Sequence, residues 1–280
     1  MIEYFKRKII RWRTKRTFQE YPHRIEKFRL EKDGDVDFAV WLNPLEQQKS
    51  ITQNGVDFYR KFVQPGDLAI DIGTHMGDTT VPMALAVGKE GLILGFDPNP
   101  HVFKIFQVNA SLNKAKTNIV ALPYAITADD GDFHFYSREA SFNNGGVAKD
   151  LKGNEGYTLK QTVTGINLEK YLNENYQDKR KELSFIKVDT EGYDKDILKS
   201  ISGILTSLKP TVLAECFRKL TKEERSELYH VLSDSGYQLY RFDDFTTAAK
   251  FTPIQESDMN NWKHFDILAV HRDRAAEIKL

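Results

Sequence analysis

The chain has a single cysteine, Cys216, among 280 residues. No internal disulfide can form, and the thiol reads most simply as a small core side chain. There is no apolar run near the roughly 20 residues that a helix needs to span a bilayer. There is also no amino-terminal apolar segment of the secretory kind, so a reducing cytoplasm is the expected setting. Net charge is absent too, because 40 Lys and Arg balance 40 Asp and Glu. Without a global basic field to gather polyanions, no nucleic-acid partner is expected. Repeats and low-complexity tracts are missing. What is present is 40% apolar residues, enough for one sizeable core.

The charge that cancels overall is uneven locally. In "MIEYFKRKIIRWRTKR", Ile2, Phe5, Ile9 and Trp12 recur at helical spacing, while Lys6, Arg7, Lys8, Arg11, Arg13, Lys15 and Arg16 supply nearly all the charge. Such a basic amphipathic helix suits peripheral contact with an anionic membrane, a transit peptide, or docking on its own domain or on a second subunit as a homodimer. With a lead-in helix it makes up an amino-terminal extension, residues 1–63.

From residue 64 to 280 strand and helix patterns alternate, the mark of an α/β domain with a mostly parallel sheet. "LAIDI", "LILGF", "NIVALPYAI", "LSFIKVD", "TVLAECF", "YQLYRF" and "FDILAV" read as strands. The helices between them include "VPMALAVG", "HVFKIFQVNASLN", "DKDILKSISGIL" and one over 221–235 that Thr221 and Glu224 open as a capping box. Between about 131 and 165 the pattern changes to period two in "DFHFY" and to a loop rich in Gly and Asn, a β insertion. Gly145, Gly146, Gly153 and Gly156 are candidate hinges for that loop. It is long enough to fold over the carboxyl ends of the sheet as a lid, with Ser141, Asn143 and Asn144 able to orient a hydroxylated acceptor.

The stretch "DIGTHMGDTT", residues 71–80, follows the first strand, where open α/β sheets bind ligands. Gly73 and Gly77 allow a tight turn and close approach to a ligand. Asp97 in "GFDPNP" ends the second strand, placed to accept hydrogen bonds from both ribose hydroxyls of an adenosine. A pyrophosphate binder prefers G-x-G-x-x-G, but here His75 stands at the central glycine and Asp71 adjoins the turn. Asp71 would repel a pyrophosphate and suit the ammonium and sulfonium end of S-adenosylmethionine. An NAD-dependent Rossmann oxidoreductase is therefore the weaker reading.

In order, "FVQPGDLAIDIGTHMG", "GFDPNPHVFKIFQVNASLN", "DDGDFHFYS", "TVTGINLEKYL" and "FIKVDTEGYDKDIL" resemble the successive motifs of FkbM-type S-adenosylmethionine-dependent methyltransferases over residues 62–217. The resemblance implies a class I, Rossmann-like methyltransferase fold. That fold has a seven-stranded, mostly parallel sheet with helices on both faces, in which "FDILAV" is the antiparallel strand. It implies S-adenosyl-L-methionine as cofactor and, usually, methylation of a hydroxyl on a small molecule or glycan. Thr74 and His75 replace the family's common Ala-Asn, Thr190 replaces an aliphatic residue, and Asp194 stands for a glutamate. The expected cofactor contacts are Asp71, Gly73, Thr74, His75, Gly77, Asp97, Pro98, Asn99, Ala125 and Asp189.

Methyl transfer to an alcohol needs in-line positioning and a route for the proton. Lys187 and Asp189 share a strand face by period two, and Glu191 lies just past the strand end. Asp189 is the first candidate for base or acceptor anchor, with Lys187 holding it ionised. Glu191 and His75 are further catalytic candidates, and a buried ion network of Lys187, Asp189 and Glu191 is the structural alternative. Asp194 reads as a helix cap. Glu215, at the end of the fifth strand, joins Asn143 and Asn144 as a candidate acceptor contact. Asp189 and Glu215 lack a recognisable ligand spacing, so no metal is expected. An N-methyltransferase of the same fold, or a non-catalytic nucleoside-binding protein recruited to a membrane, would fit the same residues.

Overall fold

A computed structural model describes residues 2–150, 156–276 and 278, with side chains from Tyr4 onward; Gly153, one of the candidate hinges, lies outside these residues. Helix α1 (Ile2–Thr14) precedes a hairpin of β1 (His23–Leu30) and β2 (Gly34–Trp41), then helix α2 (Gln53–Tyr59). The hairpin is an addition to the two helices expected in this extension. Next come β3 (Leu68–Ile72), α3 (Thr80–Val87), β4 (Leu92–Phe96), α4 (Pro100–Ser111) and β5 (Ile119–Leu122). After β6 (Ala125–Ile126), the insertion holds β7 (Gly131–Ser137), β8 (Gly146–Ala148), β9 (Tyr157–Thr158) and β10 (Val163–Ile166). The chain continues with α5 (Leu168–Asn175), β11 (Leu183–Val188), α6 (Asp194–Ser200), α7 (Ser202–Leu208), β12 (Thr211–Cys216) and α8 (Lys222–Ser233). It closes with β13 (Tyr237–Phe242), β14 (Thr252–Pro253) and β15 (Phe265–His271).

The main sheet runs β14-β13-β15-β12-β11-β3-β4-β5. Seven of its strands form the expected sheet, with β15 antiparallel to both neighbours, and the two-residue β14 extends the edge beside β13. Alternate residues of each central strand face opposite cores. Ala69, Ile93, Phe185 and Leu213 meet α2, α3, α4 and β2, while Ile70, Leu94, Ile186 and Val212 meet α5, α6, α7 and α8. Cys216 is buried in the second core, and the Thr221–Glu224 capping box opens α8.

Two elements expected to be continuous are split. Pro123 has no N–H to extend a ladder. The third strand therefore ends at Leu122, and β6 leaves to pair with β10 in the insertion's sheet. The helix after β11 breaks at Ile201 into α6 and α7, where the Ser200 hydroxyl donates to the Ile197 carbonyl and competes with the helical ladder. Phe133, Phe135, Phe142 and Val163 make a small core within the insertion. Among the described residues no helix is long and apolar enough to cross a membrane.

One buried side chain fastens the hairpin to the cofactor turn. Asn109 of α4 accepts from the Ala39 N–H (2.6 Å) and donates to the carbonyls of Ala39 (3.0 Å) and Met76 (2.7 Å). Asn109→Ala strands these backbone groups without water, so urea unfolding should show a loss of about 3 kcal/mol. A loss below about 0.5 kcal/mol, the scale of a surface change, would contradict this role.

Candidate active site

The β3–α3 turn is shaped by three residues with positive φ: Gly73 (81°), His75 (50°) and Gly77 (93°). A Cβ at Gly73 would lie 1.9 Å from the Asp189 carbonyl oxygen, so only glycine lets β3 and β11 end this close together. Gly77 meets a different neighbour. Its missing Cβ leaves room for the Phe106 ring of α4, 2.9 Å away. The expected ligand contact at Gly77 is therefore corrected to helix packing.

Beyond this turn opens a cavity of about 390 Å³ at the carboxyl ends of β3, β4 and β11. Gly73, Thr74, His75, Asp97, Pro98, Asn99, Ala125, Asn143, Asn144, Lys187, Asp189 and Glu191, all expected at the site, line it. Asp71 and Glu215 do not. Asp71 is fully buried one layer below. Its Oδ1 lies 3.3 Å from Lys187 Nζ, and its Oδ2 accepts from the hydroxyls of Thr79 (3.0 Å) and Thr80 (2.6 Å). With both oxygens engaged inside the protein, Asp71 is no direct partner for a sulfonium or ammonium group. Strand register explains the pairing, since Lys187 of β11 stands directly beside Asp71 of β3.

Lys187 reaches upward as well, to Asp189 Oδ2 at 3.2 Å. Burial alone would lower its pKa, but Asp189 and Asp71 outweigh it and hold the ammonium well above its ordinary value. Asp189 is half-exposed at the cavity wall. Next to it the turn 190–193 bends through positive φ at Glu191 (59°) and Gly192 (110°). Asp194 is the first residue of α6 rather than its cap; its Oδ2 accepts from the Thr190 hydroxyl and the Gly192 N–H and closes that turn.

Asp97 forms the opposite wall. Its Oδ2 accepts the His75 N–H (2.7 Å) and its Oδ1 accepts the Asn99 N–H (2.9 Å). Burial pushes the carboxyl up to about 6, against the opposing charge of His75 and the two amides. Each carboxylate oxygen keeps a lone pair for a hydroxyl donor. Asn143 Oδ1 is buried in the same cavity with no hydrogen-bond partner among the described residues. An acceptor-only carboxylate, an orphaned amide oxygen and apolar walls from Phe96, Pro98, Val102 and Ala125 fit an adenosine-bearing ligand.

The insertion does fold over the sheet ends. The Asn99 side-chain amide donates to the Phe142 carbonyl (2.8 Å), and His75 Nε2 lies 3.0 Å from the Asn143 carbonyl oxygen. Residues 143–147 thereby form one side of the cavity, whereas Ser141 is buried away from it. Glu215 lies 3.5 Å from His264 Nδ1, and its Oε2 has no partner among the described residues. Burial and the charges of Asp189, Asp194, Glu191 and Asp266 push its pKa up; because it does not line the cavity, the expected acceptor contact at Glu215 is not borne out. Among the described residues no three His, Cys, Asp or Glu side chains are grouped to hold a metal.

Sequence reasoning missed the mouth of the cavity. Lys49 pairs with Asp78 (2.8 Å), and Glu46 lies 3.8 Å from Lys49 and 3.6 Å from His75 Nε2. Burial opposes the charge on Lys49, but Asp78 and Glu46 raise its pKa above the ordinary value. "NPLEQQKS" has no periodicity that would have flagged it. Asp78 sits within the quoted turn and lines the cavity beside Lys49.

This fold and this cavity define an S-adenosylmethionine-dependent methyltransferase of class I architecture. The comparison with known families is specific: the methyltransferase FkbM domain matches residues 71–239, and the chain belongs to that family. The nicotinamide alternative falls with that match. Hexuronic acid methyltransferase AglP of Haloferax volcanii is 25% identical over 186 residues, covering 66% of this chain and 69% of the relative. Two solved structures that are similar are methyltransferase FkbM of Methylobacillus flagellatus and an S-adenosylmethionine-dependent O-methyltransferase of Thermotoga maritima. The first is 11% identical with a TM-score of 0.44, covering 76% of this chain and 50% of that one. The second is 14% identical with a TM-score of 0.40, covering 88% and 77%.

Lys187→Met would leave Asp71 buried beside no cation, at a cost of about 3–5 kcal/mol at alkaline pH. Burial holds Asp71 above its unfolded value even with Lys187 present. In the variant, folding therefore takes up a proton, and the deficit should shrink as pH falls toward 5. Chemical unfolding across that range checks the sign; a deficit that grows on acidification contradicts the assignment.

Proposed function

We propose that this chain transfers the methyl group of S-adenosylmethionine to a hydroxyl oxygen of a small molecule or sugar. The observation that carries the reading is Asp189: a half-exposed carboxylate at the cavity wall, held by a buried ammonium that Asp71 fixes from below. The bound cofactor supplies an electrophilic methyl group for in-line displacement. The chain supplies position and a place for the proton.

In this reading Asp97 accepts the ribose hydroxyls. The peptide groups of Gly73, Thr74 and His75 face the amino-acid end, and Pro98 and Ala125 flank the base. Asp71 acts through Lys187. Asp189 orients the acceptor hydroxyl and takes its proton, and Lys187 holds its carboxylate in place. Asn143 and Asn144 hold further acceptor hydroxyls. The relative named for hexuronic acid makes an acidic sugar the first acceptor to test.

Two measurements check these roles. Hydroxyl donors favour ionised Asp97, so S-adenosylhomocysteine affinity in calorimetry should be full above pH 6 and weaken up to about tenfold per pH unit below it. Asp97→Asn should bind about ten- to a hundredfold more weakly, without that pH dependence. Equal affinity in a folded Asp97→Asn protein would return Asp97 to a structural role. For the chemistry, Asp189→Asn should slow methylation of a uronic acid, followed by mass spectrometry, by about a hundredfold or more while cofactor affinity moves less than about tenfold. Wild-type turnover in that variant would remove Asp189 from proton transfer.

A further inference from the structure

Helix α1 is attached to the domain by its polar side. Arg11 Nη1 donates to the Pro44 carbonyl at 3.0 Å, and buried Thr14 accepts from the Tyr21 hydroxyl at 3.0 Å. Phe5, Ile9 and Trp12, spaced four and three residues apart, lie on the opposite side of the helix, 56%, 64% and 60% exposed. Tyr4 and Ile10 are exposed at the flanks. The helix thus meets its own domain through its polar side and turns the apolar stripe outward.

We infer that this face is a docking surface for an anionic lipid bilayer. Charge separates a membrane from a second copy of the chain as the occupant. Residues 1–16 hold seven Lys and Arg against one Glu, a net charge of plus six; as the whole chain carries 40 of each sign, residues 17–280 carry minus six. Two such helices set face to face would bring like charges together. An anionic lipid surface attracts the helix, repels the body and so orients the domain. Lys8 on one flank and Lys6 and Arg13 on the other can reach lipid headgroups while Phe5, Ile9 and Trp12 enter the interface. Lys8 and Arg16 already cover the Tyr4 and Trp12 rings at 4.7 and 4.5 Å, so cation and aromatic lie side by side.

The helix is also joined to the cavity wall. The Lys15 carbonyl accepts the Ala140 N–H (2.9 Å), Lys15 pairs with Glu139 (2.9 Å), and Phe18 packs on Phe142 and His101. Docking therefore sets the side of the cavity formed by residues 143–147 at a fixed place relative to the bilayer, which suits an acceptor carried on a lipid.

Co-sedimentation of the full chain with vesicles tests the surface, independently of what the acceptor is. Binding is expected to phosphatidylcholine vesicles containing about 30% phosphatidylglycerol, to be absent with phosphatidylcholine alone, and to weaken as salt rises. Replacing Phe5, Ile9 and Trp12 together by Ser should cut binding at least about tenfold with all charges kept, and so should Lys6→Gln, Lys8→Gln and Arg13→Gln together. Unchanged S-adenosylhomocysteine affinity certifies the fold of both variants. No binding by the wild type, or equal binding to neutral vesicles, overturns the inference. A wild-type dimer in light scattering that the Ser variant converts to monomer also overturns it, in favour of a second copy.

Discussion

The site depends on one buried cation. Lys187 stands between Asp71 below and Asp189 above, and every group around it is placed by that requirement. An ammonium out of water needs carboxylate partners. Parallel register brings Asp71 alongside it from β3, and period two brings Asp189 above it on β11. Asp71 in turn needs hydrogen bonds at its second oxygen, which Thr79 and Thr80 supply at the start of α3. Gly73 then lets the β3 turn close against the Asp189 carbonyl. One charge thus ties two strands, a helix start and the cavity wall together.

The amino-terminal extension completes what the sheet begins. β2 and α2 share a core with β3 and α3, Glu46 and Lys49 reach the cavity mouth, and the segment after α1 braces the insertion loop through Lys15 and Phe18. Asn99 caps α4 with its oxygen while its amide holds Phe142, so the cofactor turn, the insertion and the extension meet at neighbouring residues.

Much of this was legible in the residues because it is local. "LAIDI" and "LILGF" coincide with β3 and β4, the capping box opens α8, and the two glycines mark the turn. The carboxylates at strand ends announced the cavity. What escaped is non-local or was passed over. Asp71 looked like a ligand contact because nothing in its own segment reveals a lysine 116 residues away on the neighbouring strand. Glu215 looked available because its burial among other acids follows only from packing. The hairpin β1–β2 did carry a signal, Asp33-Gly34 ahead of alternating Val36, Phe38 and Val40, and could have been found.

The most direct measurement of this account is a double-mutant cycle on Asp71→Asn and Lys187→Met, read as unfolding free energy at neutral pH. If the buried pair organises the site, the double variant should be more stable than the sum of the single losses predicts by about 2–3 kcal/mol, because Lys187→Met strands buried Asp71, Asp71→Asn leaves Lys187 with Asp189 as its one carboxylate, and the double change removes both imbalances. Losses that add within about 0.5 kcal/mol would show that the two residues act independently, and the central claim would fail.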